Sequence, residues 1–348
     1  MKFGNIINKF SLKEETKKDL LIAFYSLPGI LIIYIVGFMC NNIIYASIAA
    51  SGAVTAGYGA KKKILRYPFA PMIIAVIGMS LCAGLGSISG NYYIIYVIGS
   101  MFFACLCSLV GLIDQNAWWI LLQWAIAYFV AGYYAGNLYS AVLRCCLIMV
   151  GGLFQCACII FLLRKFSFHR NIIQPKNMAK ILKNIYEDID KKIRFHAAAV
   201  YAALTIFICF IFIYFFKIQY YYWATMTALV ILKPDFMDTF KRAKNRLLGT
   251  FMGIVIATGL VLLNSSKYVM TAEIIVSLYL CYVFSNQTYA ILTTFITISA
   301  VLMFSFTGKP ELEIAFDRII ATAIGGFSAI IIMAIRSFYF KLSKIHRL

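Results

Sequence analysis

RIIATAIGG, residues 318–326, echoes RCCLIMVGG, residues 144–152: each is an arginine, six residues and a glycine pair, and the offset of 174 is half of the 348-residue chain. An echo at half length predicts two copies of one unit. Around the two stretches the apolar residues gather into runs of roughly 20, the helix length that crosses about 30 Å of hydrocarbon. Twelve candidate spans follow: 20–39, 43–59, 68–88, 92–113, 117–134, 138–163, 196–216, 219–233, 244–263, 268–285, 287–306 and 313–336. Each copy then holds six spans. An even number sets both copies in the same orientation, related by an axis along the membrane normal.

Composition agrees with this reading. The chain is 63% hydrophobic and 13% charged, far from the globular range. No run of alternating ten-residue strands suggests a barrel. A net charge of +19 would suggest nucleic acid in a soluble domain, but the basic residues sit in alternate loops. The loops that face the other way hold only Lys217, Lys267 and Lys309, which puts both termini in the cytoplasm of a multi-pass protein of the cell membrane and leaves no role for nucleic acid. The ten cysteines lie in apolar runs without CxxC spacing or a neighbouring histidine, and read as small core residues. The charged start, with no A-x-A site after its apolar stretch, reads as an uncleaved first span.

The expected organisation is an all-α membrane protein with a cytoplasmic segment at 1–19, a six-span repeat at 20–163, a cytoplasmic linker at 164–195, a second six-span repeat at 196–336 and a cytoplasmic tail at 337–348. The linker stretch QPKNMAKILKNIYEDIDKKIRF, 174–195, has helical spacing of its apolar residues and predicts a helix on the membrane surface.

No catalytic pattern is present: His169, His196 and His346 flank span ends, and no triad, HExxH or phosphate loop occurs. Neither an enzyme nor a cofactor or metal is expected. The informative residues are arginines at or within spans, because insertion of Arg at the bilayer centre costs at least ~2.5–3.5 kcal/mol. Arg246, Gly249, Gly253 and Ala257 follow at steps of three and four, as do Arg318, Thr322, Gly325 and Ala329. Small residues let helices approach closely, so these faces point into protein. The echo extends the packing motif to Gly326, Gly151 and Gly152, and adds Arg144 as a third candidate. Acids within spans are scarce: Glu273 and Asp317 are the candidates for proton coupling. Arginines without matched carboxylates favour an anion, which guanidinium can hold with two hydrogen bonds. Trp118 and Trp119 fit an interfacial belt, as do Tyr220–Trp223, although Trp223 leads into the basic stretch KPDFMDTFKRAK, 233–244, which reads as a loop that fixes topology.

YWATMTALVILKPDFMDTFKRAKNRLLGTFMG, Tyr222 to Gly253, resembles the signature of the fusaric acid resistance protein-like family, also called aromatic acid exporters: a Trp, a Thr-rich helix, a Pro-Asp turn, then Arg, Gly-Thr and Gly. AFDRIIATAIGG, Ala315 to Gly326, approaches a later pattern of that family, and the resemblance covers roughly residues 195–340. It implies an exporter of organic, often aromatic, carboxylic acids. The plant aluminium-activated malate transporters resemble the same unit, with basic residues along an anion pore. By that implication Arg246 and Arg318 are pathway residues, with Trp223, Thr227, Gly249, Thr250 and Gly253 around them. The earlier half has RYPFAPM, with Pro71, near the counterpart of Arg246, so the pathway is expected to be charged unequally.

The sequence therefore predicts efflux of small organic anions between the two repeats, with Arg246 at the cytoplasmic mouth and Arg318 and Arg144 facing each other nearer the outside. A passive anion channel and a non-transporting scaffold for envelope biogenesis are the alternatives. The partners are the bilayer and the anion, with homo-oligomers left open.

Overall fold

Proline, aspartate and asparagine set the helix boundaries of this chain. The computed structural model describes residues 14–62, 69–165, 183, 185–263, 266–285, 288–305 and 311–345. Its helices are α1 Glu14–Tyr25, α2 Pro28–Met39, α3 Ile43–Gly59, α4 Ala70–Ser89, α5 Tyr93–Ile113, α6 Gln115–Tyr133, α7 Leu138–Lys165, α8 Ile189–Phe216, α9 Tyr222–Ile231, α10 Phe236–Leu263, α11 Lys267–Phe284, α12 Tyr289–Ser305 and α13 Glu311–Ile345. No strand occurs among the described residues.

Pro28 divides the first span, since a proline is accepted at the first turn of a helix but not inside one. Asp114 starts α6 by accepting from the amides of Asn116 and Ala117 at 2.8 and 2.9 Å, and Asp188 starts α8 by accepting from Lys191 at 3.1 Å. The stretch expected to be a loop at 233–244 is helical from Phe236. Asp235 accepts from the amides of Met237 and Asp238, while the Thr239 hydroxyl donates to the carbonyl of Asp235 and accepts from the Lys233 amide. The basic residues thus lie on the first turns of a 28-residue helix, about 42 Å long.

Among the described residues, eight segments are long and apolar enough to cross a membrane: Leu20–Met39, which takes in α2 and the end of α1, together with α4, α5, α7, α8, α10, α11 and α13. The other four expected spans are α3, α6, α9 and α12. Three of these are shorter apolar helices, and α6 carries polar residues and tryptophans at its start. The shortest, α9, has ten residues, about 15 Å, half the thickness of the hydrocarbon. Every residue of α9 except Met226 is buried, so protein surrounds it and can satisfy its ends.

Helix pairings in the earlier part of the chain recur in the later part. The pairs α4–α6, α3–α7, α4–α7, α5–α6 and α2–α3 are matched by α10–α12, α9–α13, α10–α13, α11–α12 and α8–α9. Contacts between the two parts run through α5–α8, α6–α9 and the pairing of α11 with α1 and α2. The echoed glycines serve these pairings: a Cβ on Gly151 would lie 2.2 Å from the Ala49 carbonyl oxygen, and one on Gly325 would lie 2.3 Å from that of Ala224. Only glycine permits such approach of α7 to α3 and of α13 to α9. Gly152 lies equally close to the Val76 side chain, whereas Gly326 has ordinary contacts.

Outward faces are apolar. On α10, Leu247, Leu248, Phe251, Met252 and Val255 are exposed while Arg246, Gly249, Gly253 and Ala257 are buried, the inverse of a soluble amphipathic helix. All ten cysteines are free. Residues 1–13 of the expected cytoplasmic start, most of the surface-helix linker and the end of the tail lie outside the described residues.

Candidate functional site

Two arginines are buried deep in the later part of the chain. Arg318 on α13 is 2% exposed and Arg246 on α10 is 5% exposed. They are close enough for Arg246 to be the charge that bears most on Arg318. Neither pairs with a carboxylate among the described residues. Arg246 Nε and Arg318 Nη1 have no hydrogen-bond partner, and nor do the buried hydroxyls of Thr227 on α9, Thr250 on α10 and Thr297 on α12. An unsatisfied buried polar group costs about 1–3 kcal/mol, so these five on α9, α10, α12 and α13 are candidates for completion by a ligand or water.

Aromatic rings form the opposite wall. The Arg318 guanidinium lies over the Trp223 ring, 4.8 Å from its centroid. Such a stack contributes about 0.5–2 kcal/mol and leaves the edge donors of the guanidinium available. Trp223 stacks in turn on Tyr220 at 5.3 Å and meets Phe304 edge-on at 5.3 Å. The left-handed backbone of Tyr220, φ 49°, turns the chain from α8 into α9 and aims these rings inward.

Glycines close the back of the site. A Cβ on Gly249 would fall 2.4 Å from the Ala290 carbonyl oxygen, and one on Gly253 would fall 2.6 Å from that of Thr294. The face predicted from Arg246, Gly249, Gly253 and Ala257 therefore packs against α12, where Gly253 meets Thr297.

The structure separates some of the residues that sequence grouped. Arg246 is buried beside Arg318 rather than standing at a mouth. Arg144 is half-buried and donates to the Ser87 hydroxyl and to the carbonyls of Ala131 and Tyr134 at 3.1 and 2.9 Å; it closes the end of α6. Between Arg144 and Arg318 stand Tyr134 and Tyr222, whose rings are 6.0 Å apart. Glu273 on α11 is half-buried with one oxygen lacking a partner, and Asp317 is half-buried and engaged elsewhere.

Sequence reasoning passed over a second group of cations. Lys233 lies over the Trp118 ring at 4.5 Å, and Arg242 lies between Trp118, at 5.9 Å, and Tyr289, at 4.1 Å. Lys62 covers Trp119 at 5.3 Å. The signal was the tryptophan pair that starts α6, which composition assigns to an interfacial belt; its rings face lysines that follow α3 and α9. Across the same region Lys61 donates to the Tyr282 carbonyl at 2.6 Å, joining the end of α3 to α11.

Burial, reinforced by the charge of Arg242 and opposed by Asp238, lowers Lys233 to about 8. Because the folded-state value lies below that of the unfolded chain, the unfolded state binds more protons between pH 8 and 10.5, and stability rises with pH through that window. The thermal unfolding midpoint of the wild type should accordingly climb above pH 8 relative to a Lys233→Met variant. Parallel curves for the two proteins would show that Lys233 is not desolvated.

A helical chain with apolar outward faces and buried arginines, threonines and a tryptophan is an integral membrane protein with a polar interior. Residues 204–332, which hold every residue of that site, match the family model for fusaric acid resistance protein-like domains. Among curated proteins it is similar to an uncharacterised protein of Haemophilus influenzae, 26% identical over 148 residues, covering 41% of this chain and 21% of that protein. It is similar also to the inner membrane protein YccS of Escherichia coli, 33% identical over 104 residues, covering 30% of this chain and 14% of that one. A protein of Synechocystis is 30% identical over 115 residues, covering 33% and 15%. The matched stretches span about a fifth or less of these relatives. No solved structure matches the chain.

Proposed function

We propose that the chain is a transporter of small organic anions in the cell membrane, and that Arg246, Arg318, Trp223, Thr227, Thr250 and Thr297 form its anion site. The observation that carries this reading is a pair of buried arginines without a carboxylate partner, one stacked on tryptophan, ringed by hydroxyls without partners. Guanidinium edges and hydroxyls suit a carboxylate. The rings of Trp223 and Phe304 suit a flat apolar body. The family match over residues 204–332 supports the same class.

The proposed architecture is twelve spans in two parallel six-helix repeats with both termini in the cytoplasm. It is supported by the recurring helix pairings and by the position of the four short or less apolar helices, which are the second and fifth of each half. Short segments at matched positions of two repeats point to the substrate site of transporters. The site lies within the later half, and its α9 wall is the helix that meets the earlier half through α6. Arg144 has a structural role in this reading, and Glu273 is the acid available for proton coupling.

Purified protein in liposomes decides the matter. Uptake of benzoate-type monoanions is expected above that of dicarboxylates, with a steeper rate under an imposed pH gradient. Current that follows voltage alone would indicate a passive channel, and no flux of any anion would favour a scaffold.

A further inference from the structure

Polar residues recur turn by turn along the seam between α10 and α12. On α10, Arg242, Arg246 and Thr250 follow at steps of four, and on α12 Tyr289, Thr293 and Thr297 do the same. Such steps keep side chains on one helix face, about 6 Å apart along the axis. The two helices run side by side in the same direction, since Gly249 meets Ala290 and Thr293 while Gly253 meets Thr294 and Thr297. All but Thr293 carry an enclosed polar atom without a hydrogen-bond partner: Arg242 Nε, Arg246 Nε, Thr250 Oγ1, Tyr289 Oη and Thr297 Oγ1. Thr293 turns its hydroxyl back to the carbonyls of its own helix.

The end of this seam where both helices begin lies outside the anion site described above. There the Arg242 guanidinium lies over the Tyr289 ring, 4.1 Å from its centroid. No carboxylate pairs with Arg242 among the described residues, and Asp238, one turn earlier on α10, is exposed. A guanidinium over an aromatic face keeps its edge donors available, and the tyrosine hydroxyl is a further donor. Arg242 is half-buried, whereas Arg246 is 5% and Arg318 2% exposed. Access to water therefore falls from Arg242 to the two inner arginines. A carboxylate that left water for Arg246 in a single step would be desolvated before it met a partner, which is costly. Arg242 supplies that partner while water still reaches it.

We propose that Arg242 and Tyr289 form a loading subsite, which takes the carboxylate of a small organic anion at the start of α10 and passes it one turn inward to Arg246. The passage step rests on the transport reading above; binding at the subsite rests on the unpartnered donors.

The full chain tests this. In liposomes, Arg242→Gln should raise the half-saturating benzoate concentration about tenfold or more, the worth of a hydrogen bond to a charged group, and leave the maximal rate within about threefold. Tyr289→Phe keeps the ring under Arg242 and removes a hydroxyl that has no partner in the protein. It should raise the same concentration roughly three- to tenfold, as loss of a neutral donor does, with no fall in the thermal unfolding midpoint. Arg242→Lys should resemble Arg242→Gln; wild-type behaviour of the lysine variant would reduce Arg242 to a topology-fixing charge and overturn the proposal. Radiolabelled benzoate binding to Arg318→Ala protein in an uncharged detergent gives a readout that needs no flux. Saturable binding is expected there and should disappear when Arg242→Gln is added. Absence of that binding, or its survival in the double variant, would overturn the subsite and leave the transport reading standing. Binding that depends on Arg242, in a protein whose wild type carries no anion across the membrane, would uphold the subsite and end the transport reading.

Discussion

Arg318→Ala protein in liposomes is expected to lose organic-anion flux by about ten- to hundredfold while its thermal unfolding midpoint stays level or rises. The size follows from the ~1.5–3 kcal/mol that a hydrogen bond to a charged group contributes. The stability result is the discriminating one. Arg318 is buried beside another arginine with no carboxylate between them, so its removal relieves repulsion and a desolvated charge, and gives up one stack on Trp223. A structural arginine behaves the other way: truncation strands its partners and lowers the midpoint. Arg318→Lys should not restore flux, because an ammonium cannot both lie flat on Trp223 and present a planar fork. Arg246→Ala should resemble Arg318→Ala, and flux at wild-type level in both would end the site assignment.

The second large effect is on assembly. Gly249→Ala should destabilise the folded protein by about 1–3 kcal/mol, as overpacking of a tight interface does, seen as loss of monodisperse protein and a lower unfolding midpoint. The added methyl meets the Ala290 carbonyl oxygen and the Thr293 hydroxyl at 2.4 and 2.5 Å, and a backbone atom has no rotamer to which it can retreat, so α10 must move off α12. Gly259, ten residues further on the same helix, has nothing within 4 Å of its would-be Cβ. Gly259→Ala should raise the midpoint slightly, by the ~0.5–1 kcal/mol that alanine gains over glycine inside a helix. If both variants behave alike, the close approach of α10 and α12 is not what holds the later half together.

Much of this was legible in the sequence. Period-3.6 faces gave the buried sides of α10 and α13 correctly, because arginine and small residues on one side of an apolar helix have few other places to go: Arg246, Gly249, Gly253 and Ala257 are all buried, as are Arg318, Thr322, Gly325 and Ala329. The R-x6-GG echo marked Gly151 and Gly325 as packing glycines without naming their partners, which are α3 and α9. Helix lengths were less legible. A run of charge at 236–244 reads as loop by hydropathy, yet Asp235 accepts from the first amides and the Thr239 hydroxyl donates to the Asp235 carbonyl, and the helix starts there.

Partners across space were not legible at all. Nothing local says that Arg144 closes the end of α6 while its counterpart Arg318 meets a tryptophan, since the difference lies in which residues stand opposite. Gly151 meets Ala49 where Gly325 meets Ala224, so the counterpart of Trp223 is Ile48, and the earlier half has no ring there to receive an arginine. Trp118 was hidden for a similar reason: an interfacial tryptophan and one that stacks under Lys233 look identical in sequence.

The shortness of α9 also sets an order for biogenesis. This ten-residue segment packs chiefly on α13, the last of the described helices, and only secondarily on α8 and α6. As it leaves the ribosome it is too short to span the bilayer unaided and carries buried threonines that lipid cannot satisfy. Its resting place is completed only after another eighty residues have been synthesised and α13 has arrived. Docking of α9 therefore waits for α13, and the buried contacts of Trp223 and Arg318 come into being in one concerted step rather than growing span by span.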